Sequence, residues 1–206
     1  MRPIKNTDPS RCLLACAYPL TREDYNRLFD RQPPSDFFTS QFKKLPATPK
    51  KELVWSDLYS RFAASLTRGL KAVESCGGTV IRNFSIEHLA EVSNFEVFTL
   101  YAHYNQFIDR IELSDGLYSR DDFTKAIPGD YQGIFDLTLC NSVYVRNEIK
   151  KKFGSQQVIS FADTIPIMAG MLFYQQLILN LSRYHINYID CYRKTVEDLN
   201  TNDEQS

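Results

Sequence analysis

The chain has 206 residues, 43% of them hydrophobic and 13% aromatic, with a formal net charge of −1. That composition supplies the core of one good-sized domain and excludes global disorder. No basic excess exists to neutralise phosphates, so direct nucleic-acid binding is not expected. The five cysteines, Cys12, Cys16, Cys76, Cys140 and Cys191, are odd in number and scattered. They suggest neither a disulfide framework nor a paired metal motif, and they suit a reduced, cytoplasmic setting. Cys12-Leu13-Leu14-Ala15-Cys16 looks superficially like a lipoprotein cleavage site, but the residues before it are polar where a secretory signal needs an apolar region. The most apolar stretch elsewhere, 165–181, is broken by Gln175, Gln176 and Asn180 and falls short of the ~20 residues of a membrane span.

In chain order, residues 1–10 are polar and are expected to be flexible. The apolar run 12–18, closed by Pro19, predicts a first buried strand. Thr21 with Asp24 opens a short helix. Over 32–51, Pro33, Pro34, Pro46 and Pro49 predict a long surface loop. Its rings Phe37, Phe38 and Phe42 either tuck onto the domain or form a docking or autoinhibitory patch. Val54, Leu58, Phe62, Ala63, Leu66, Leu70 and Val73 recur every three or four residues, the spacing of an amphipathic helix over 53–74. Gly77 suits its left-handed stop. A short strand at 79–82 follows, then a helix capped by Ser85 with Glu87 in its first turn.

The stretch 96–142 carries the functional signal. The run Val97-Phe98-Thr99-Leu100-Tyr101-Ala102 ends on His103, and Ile134-Phe135-Asp136-Leu137-Thr138-Leu139 ends on Cys140. Both runs are short and rich in β-branched and aromatic residues, as in strands buried on both faces of a parallel sheet. Chemistry in open α/β sheets gathers at the carboxyl edge of the strands, where a histidine and a cysteine both arrive here. Between the runs lie a strand over 107–113, the Asp115-Gly116 turn and a helix from Ser119 to about Ala126. Beyond Cys140 come a helix over 145–153, whose Lys150-Lys151-Lys152 run reads as a solvated face, and a strand over 157–161. A nearly all-apolar helix then begins near Pro166, a last helix runs from Arg183, and 200–206 is a flexible tail. Strands alternating with helices make this an α/β domain over 11–199.

A cysteine peptidase needs a thiolate, an imidazole and donors for the oxyanion. His103 and Cys140 are the candidate pair, although an ordinary buried cysteine is the plain alternative for Cys140. His88 and His185 read as structural or solvent-exposed, and the other cysteines have no histidine at a recognisable spacing. Asp115 and Asp136 are candidates for substrate binding, where negative charge would favour a basic residue before the cut; Asp115 also suits a simple turn former. No zinc set and no nucleotide-binding glycine motif is present, so no cofactor is expected.

The order of these features resembles the CHAT domains, the caspase- and separase-related cysteine peptidases. The likeness rests on the His103 strand, the Leu113-Ser114-Asp115-Gly116 segment, the helix near Ser119 and the strand Phe135-Asp136-Leu137-Thr138-Leu139 ending in Cys140. A strand at 157–160 and a helix bearing Met171-Leu172-Phe173-Tyr174-Gln175-Gln176-Leu177 complete it. The resemblance implies a three-layer caspase-like fold with a mostly parallel central sheet flanked by helices. It implies a cytoplasmic cysteine endopeptidase acting on a protein substrate, with Cys140 as nucleophile, His103 as base, and the N–H groups of Tyr104 and Cys140 holding the oxyanion. Such domains often work beside a regulatory or sensor partner, and bacterial ones commonly serve defence, including antiviral defence, or cell death. Tyr104 stands where the family commonly has glycine, and Leu139 where it often has a small residue. These two positions define the alternative, a non-catalytic interaction module that kept the fold.

Overall fold

The computed structural model describes residues 6–31, 59–106, 108–139, 142–154, 157–160 and 167–203. The expected Pro-rich loop with Phe37, Phe38 and Phe42, the opening of the helix expected from Leu53, and Cys140 lie outside the described residues. In chain order the elements are β1 (Cys12–Cys16), α1 (Arg22–Arg31), α2 (Ser60–Ser75), β2 (Thr79–Arg82), a 3-10 helix (Ile86–Asn94) and β3 (Val97–Tyr101). There follow β4 (His103–Asn105), β5 (Arg110–Leu113), β6 (Gly116–Tyr118), α3 (Arg120–Ala126) and β7 (Ile134–Thr138). The chain continues through α4 (Val143–Phe153), β8 (Val158–Ile159), α5 (Ile167–Tyr184) and α6 (Tyr188–Asp203).

The α/β architecture expected from the sequence is observed. The main sheet has the order β2-β1-β3-β7-β8, and each of its four pairings is parallel. Every residue of β1 and β3 is buried, as unbroken apolar runs require when both faces of a sheet are covered. Side chains alternate between two cores. On one face Leu13, Ala15, Phe98, Leu100, Phe135 and Leu137 meet the 3-10 helix, α3, α4 and the β4–β6 hairpins. On the other, Cys12, Leu14, Cys16, Val97 and Tyr101 meet α2, α5 and α6.

Local chemistry explains the boundaries. Thr21 Oγ1 accepts the N–H of Asp24 at 3.1 Å and starts α1. The α2 stripe of Ala63, Leu66, Leu70 and Val73 is buried, and Gly77 at φ 91° ends that helix as expected. Ser119 Oγ accepts the N–H of Asp122 at 3.0 Å at the start of α3.

Several expectations need correction. The strand predicted to end at His103 stops at Tyr101, and after Ala102 the histidine opens β4 in a separate antiparallel sheet, β4-β5-β6. The last helix, predicted to begin at Arg183, begins at Tyr188; Arg183 and Tyr184 still belong to α5, which closes at His185. Its φ of 52° and its N–H bond to Leu181 O at 3.2 Å close α5, and α6 then runs through Asp203. The helix after Ser85 is of the 3-10 type. Within the lysine run, Lys152 is more than a solvated face. Its Nζ donates to the carbonyls of Thr124 at 3.0 Å, Lys125 at 3.2 Å and Ile127 at 2.6 Å, capping the end of α3.

Candidate active site

The chain runs outward from β1 to β2, then crosses back to β3, β7 and β8, so the winding reverses between β1 and β3. A crevice at the carboxyl ends of those strands is where α/β sheets place their ligands. Hydrogen bonds tie this edge together. Ala17 N donates to Tyr101 O at 2.9 Å, and Phe84 N donates to Cys16 O at 2.9 Å. Tyr18 Oη donates to Ala102 O at 2.9 Å, which pins the residue immediately before His103.

His103 is half-buried at the first position of β4, directly opposite Glu112 of β5. Its neighbour Tyr104 is opposite Ile111, and both belong to the core. Successive strand residues face opposite ways, so the Tyr104 ring is turned from the face that carries His103. Tyr104 Oη donates to Asp109 Oδ1 at 2.8 Å, and burial followed by that carboxylate pushes its hydroxyl up to about 12. Leu139 is buried in the same core at 1% exposure, and its N–H donates to Leu137 O at 2.8 Å. Tyr104 and Leu139 are therefore packing residues.

The strand that leads to Cys140 pairs with the strand that leads to His103. Their register, Val97↔Ile134 through Tyr101↔Thr138, ends level. Helix α4 starts at Val143, so residues 139–142 connect a strand's carboxyl end to a helix N-terminus. Unsatisfied N–H groups and the positive end of the helix dipole favour negative charge there.

The turn of the β4–β5 hairpin is fastened to this helix. Arg120 Nη2 donates to Asp109 Oδ2 at 2.8 Å, and its Nε lies 2.6 Å from Oδ1. The Arg120 Nη1 reaches Tyr144 O at 3.4 Å, and the guanidinium sits 5.9 Å from the Tyr144 ring centre. Arg120 and then Tyr104 hold the Asp109 carboxyl below its ordinary range, against the opposing effect of burial. This fork is partly exposed, with side chains 26% and 42% accessible, so screening limits its worth. Arg120→Gln is expected to cost about 1 kcal/mol in urea unfolding and to speed amide exchange in β4 and β5 selectively. Uniform exchange across the main sheet would count against the fastening role. Sequence reading missed this cluster, because Asp109 and Arg120 carry no motif and meet only through the hairpin.

The remaining candidates fall elsewhere. Asp115 accepts from Tyr118 Oη at 2.8 Å and from the N–H of Ile86 at 3.3 Å, so it caps the 3-10 helix. Asp136 is 2% exposed, enclosed against α6, where Tyr188 Oη donates to it at 2.6 Å. Both carboxylates offered as substrate-binding candidates are thus engaged by tyrosine hydroxyls within the fold. His88 completes a capping box with Ser85 and stacks on Phe84, as its structural reading expected.

Three of the described cysteines are poor nucleophiles. Burial pushes the Cys16 thiol up to about 12 and Cys191 up to about 11, and raises Cys12 further. Cys76 ends α2 just before β2, at the opposite, amino edge of the parallel sheet. Among the described residues no group of three His, Cys, Asp or Glu side chains could hold a metal, and no helix is long and apolar enough to cross a membrane. Comparison with family models, with curated proteins and with solved structures returned no match to the chain.

Proposed function

We propose that the chain is a caspase-like cysteine endopeptidase of the CHAT type, with Cys140 as nucleophile and His103 as base. The observation that carries this reading is the level ending of β3 and β7. Tyr101 and Thr138 are register partners, and His103 and Cys140 each follow two positions later in sequence. The helix N-terminus after β7 supports thiolate formation at that point. The high thiol pKa values of Cys12, Cys16 and Cys191 and the remote edge occupied by Cys76 remove the other described cysteines from competition.

In the proposed reaction the Cys140 sulfur attacks the scissile carbonyl carbon, and the carbonyl electrons move to oxygen. Backbone N–H groups of Cys140 and Tyr104 stabilise that oxyanion. The C–N bond then breaks, and imidazolium His103 gives its proton to the leaving amine. Water, deprotonated by His103, releases the acyl group and restores the thiol. The substrate is a polypeptide, and a regulatory partner chain belongs to the same reading.

The test is a tagged electrophilic peptide probe followed by peptide mapping. Modification is expected at Cys140 and is expected to fall at least about 100-fold in His103→Ala, the scale of general-base loss. Labelling that is indifferent to His103, or that maps to Cys76, would sink the peptidase. No labelling under any activating condition would assign the chain to the non-catalytic binding module instead.

A further inference from the structure

A small polar pocket lies at the carboxyl ends of β1 and β2, along the same edge as His103. Ala17, Pro19, Asp24, Arg27, Asn83 and Ser114 line it, and its volume of about 10 Å³ holds one water-sized group. Four segments build it: the residues after β1, helix α1, the residue after β2 and the residue after β5. Ala17 joins it to the candidate site, since its N–H donates to Tyr101 O at 2.9 Å, two residues before His103.

Asn83 is the unusual member. Its φ is 52°, a left-handed backbone that asparagine, aspartate and glycine adopt more readily than other residues. Ser114 Oγ supports that conformation by donating to Asn83 O at 2.6 Å. The side-chain amide is oriented as well. Nδ2 donates to Asp24 Oδ2 at 3.2 Å, and a carboxylate takes the amino end of an amide, so the position of the oxygen end follows. That oxygen, Oδ1, is buried and receives no hydrogen bond from the described residues. An acceptor so placed costs free energy until a donor reaches it.

The charges around Asn83 select the donor. Arg27 Nη2 donates to Asp24 Oδ1 at 3.0 Å, so the carboxylate is already neutralised. A ligand cation would meet the Arg27 guanidinium, and a ligand anion would meet Asp24. A neutral group with an N–H beside a C=O suits both. Its N–H would donate to Asn83 Oδ1, and its C=O would accept from Arg27, whose side chain is 49% accessible and keeps further N–H groups open. The peptide unit is such a group.

We propose that Asn83 Oδ1 accepts a main-chain N–H of a bound polypeptide, with Arg27 donating to the adjacent carbonyl. The place of this contact along a substrate rests on the peptidase reading; the peptide binding itself does not. Neighbouring strands lie about 4.8 Å apart, so the ends of β1 and β2 are about 10 Å from those of β3 and β7, the span of about three extended residues. A polypeptide laid across the strand ends therefore reaches the pocket about three residues from the scissile bond.

The test is an NMR titration of the full chain with a pool of blocked hexapeptides of randomised sequence, run beside probe labelling of Cys140. The Asn83 side-chain amide and the backbone amides of Ala17 and Ser114 are expected to shift as peptide is added. The dissociation constant is expected to rise about tenfold in Asn83→Gly, which removes the acceptor and tolerates the left-handed backbone without strain. A second pool, methylated at every main-chain nitrogen, is expected to bind wild type about tenfold more weakly than the first. Asn83 resonances that stay fixed up to the solubility limit of the peptides overturn the proposal. Equal affinity of wild type and folded Asn83→Gly for the first pool also overturns it. Equal affinity of wild type for the two pools does so without any variant. Shifts at Asn83 without Cys140 labelling uphold the pocket and remove the peptidase. Labelling of Cys140 with no shift at Asn83 removes the pocket and keeps the peptidase.

Discussion

Asp136→Asn is expected to make the protein more stable at pH 7.5, by up to about 3 kcal/mol, and to leave stability nearly unchanged at pH 4. Burial pushes the Asp136 carboxyl up to about 6, outweighing the hydrogen bonds from Tyr188 and Thr138 that favour the anion. The unfolded chain has the ordinary carboxyl value near 3.9. Between about pH 4 and pH 6 the native state therefore holds the proton more tightly than the unfolded state. Stability falls as pH rises through that window and levels above it. Asparagine is neutral throughout and keeps an oxygen to accept from Tyr188. Many exposed carboxylates titrate in the same range, so the decisive quantity is the wild-type minus variant difference in urea unfolding at the two pH values. A difference that is constant with pH, or that has the opposite sign, would rule out the buried-proton account.

Gly133→Ala is expected to destabilise by about 2–3 kcal/mol, the range of overpacking in a tight core. A methyl at Gly133 would stand 2.5 Å from the carbonyl oxygen of Glu96 and would collide with the Tyr131 hydroxyl. Neither neighbour is free to yield. Glu96 O accepts the N–H of Ile134 at 2.8 Å, and Tyr131 Oη donates to Ile134 O at 2.9 Å. Those bonds set the first rung between β3 and β7, so the clash is felt in the pair of strands that leads to His103 and Cys140. A urea midpoint within about 0.5 kcal/mol of wild type would show that the segment adapts.

The alternation of apolar strand runs with helical spacing was enough to read the α/β class, the parallel character of β1, β3 and β7, and the start of α3 at Ser119. It was also enough to single out His103, because a histidine directly after a long apolar run is a local signal. The break at Ala102 was not legible. Residues 97–102 read as one apolar run carrying on into His103, and only pairing with Arg110, Ile111 and Glu112 bends the chain into a second sheet. The burial of Asp136 was not legible either. The face it occupies is covered by Tyr188, more than fifty residues later, and no local pattern announces that contact.

The position of β1 in the sheet bears on how the protein acquires its structure. β1 is an interior strand whose neighbours come much later in the chain: Leu13 aligns with Thr79, and Cys12 with Val97. Such pairings require closure of long loops before they return any stabilisation, which slows folding. During synthesis the apolar segment Cys12-Leu13-Leu14-Ala15-Cys16 has no neighbouring strand of the sheet until β2 emerges, and gains its second only with β3. Refolding in the range of milliseconds to seconds, with aggregation that worsens at high concentration, is the behaviour such wiring implies.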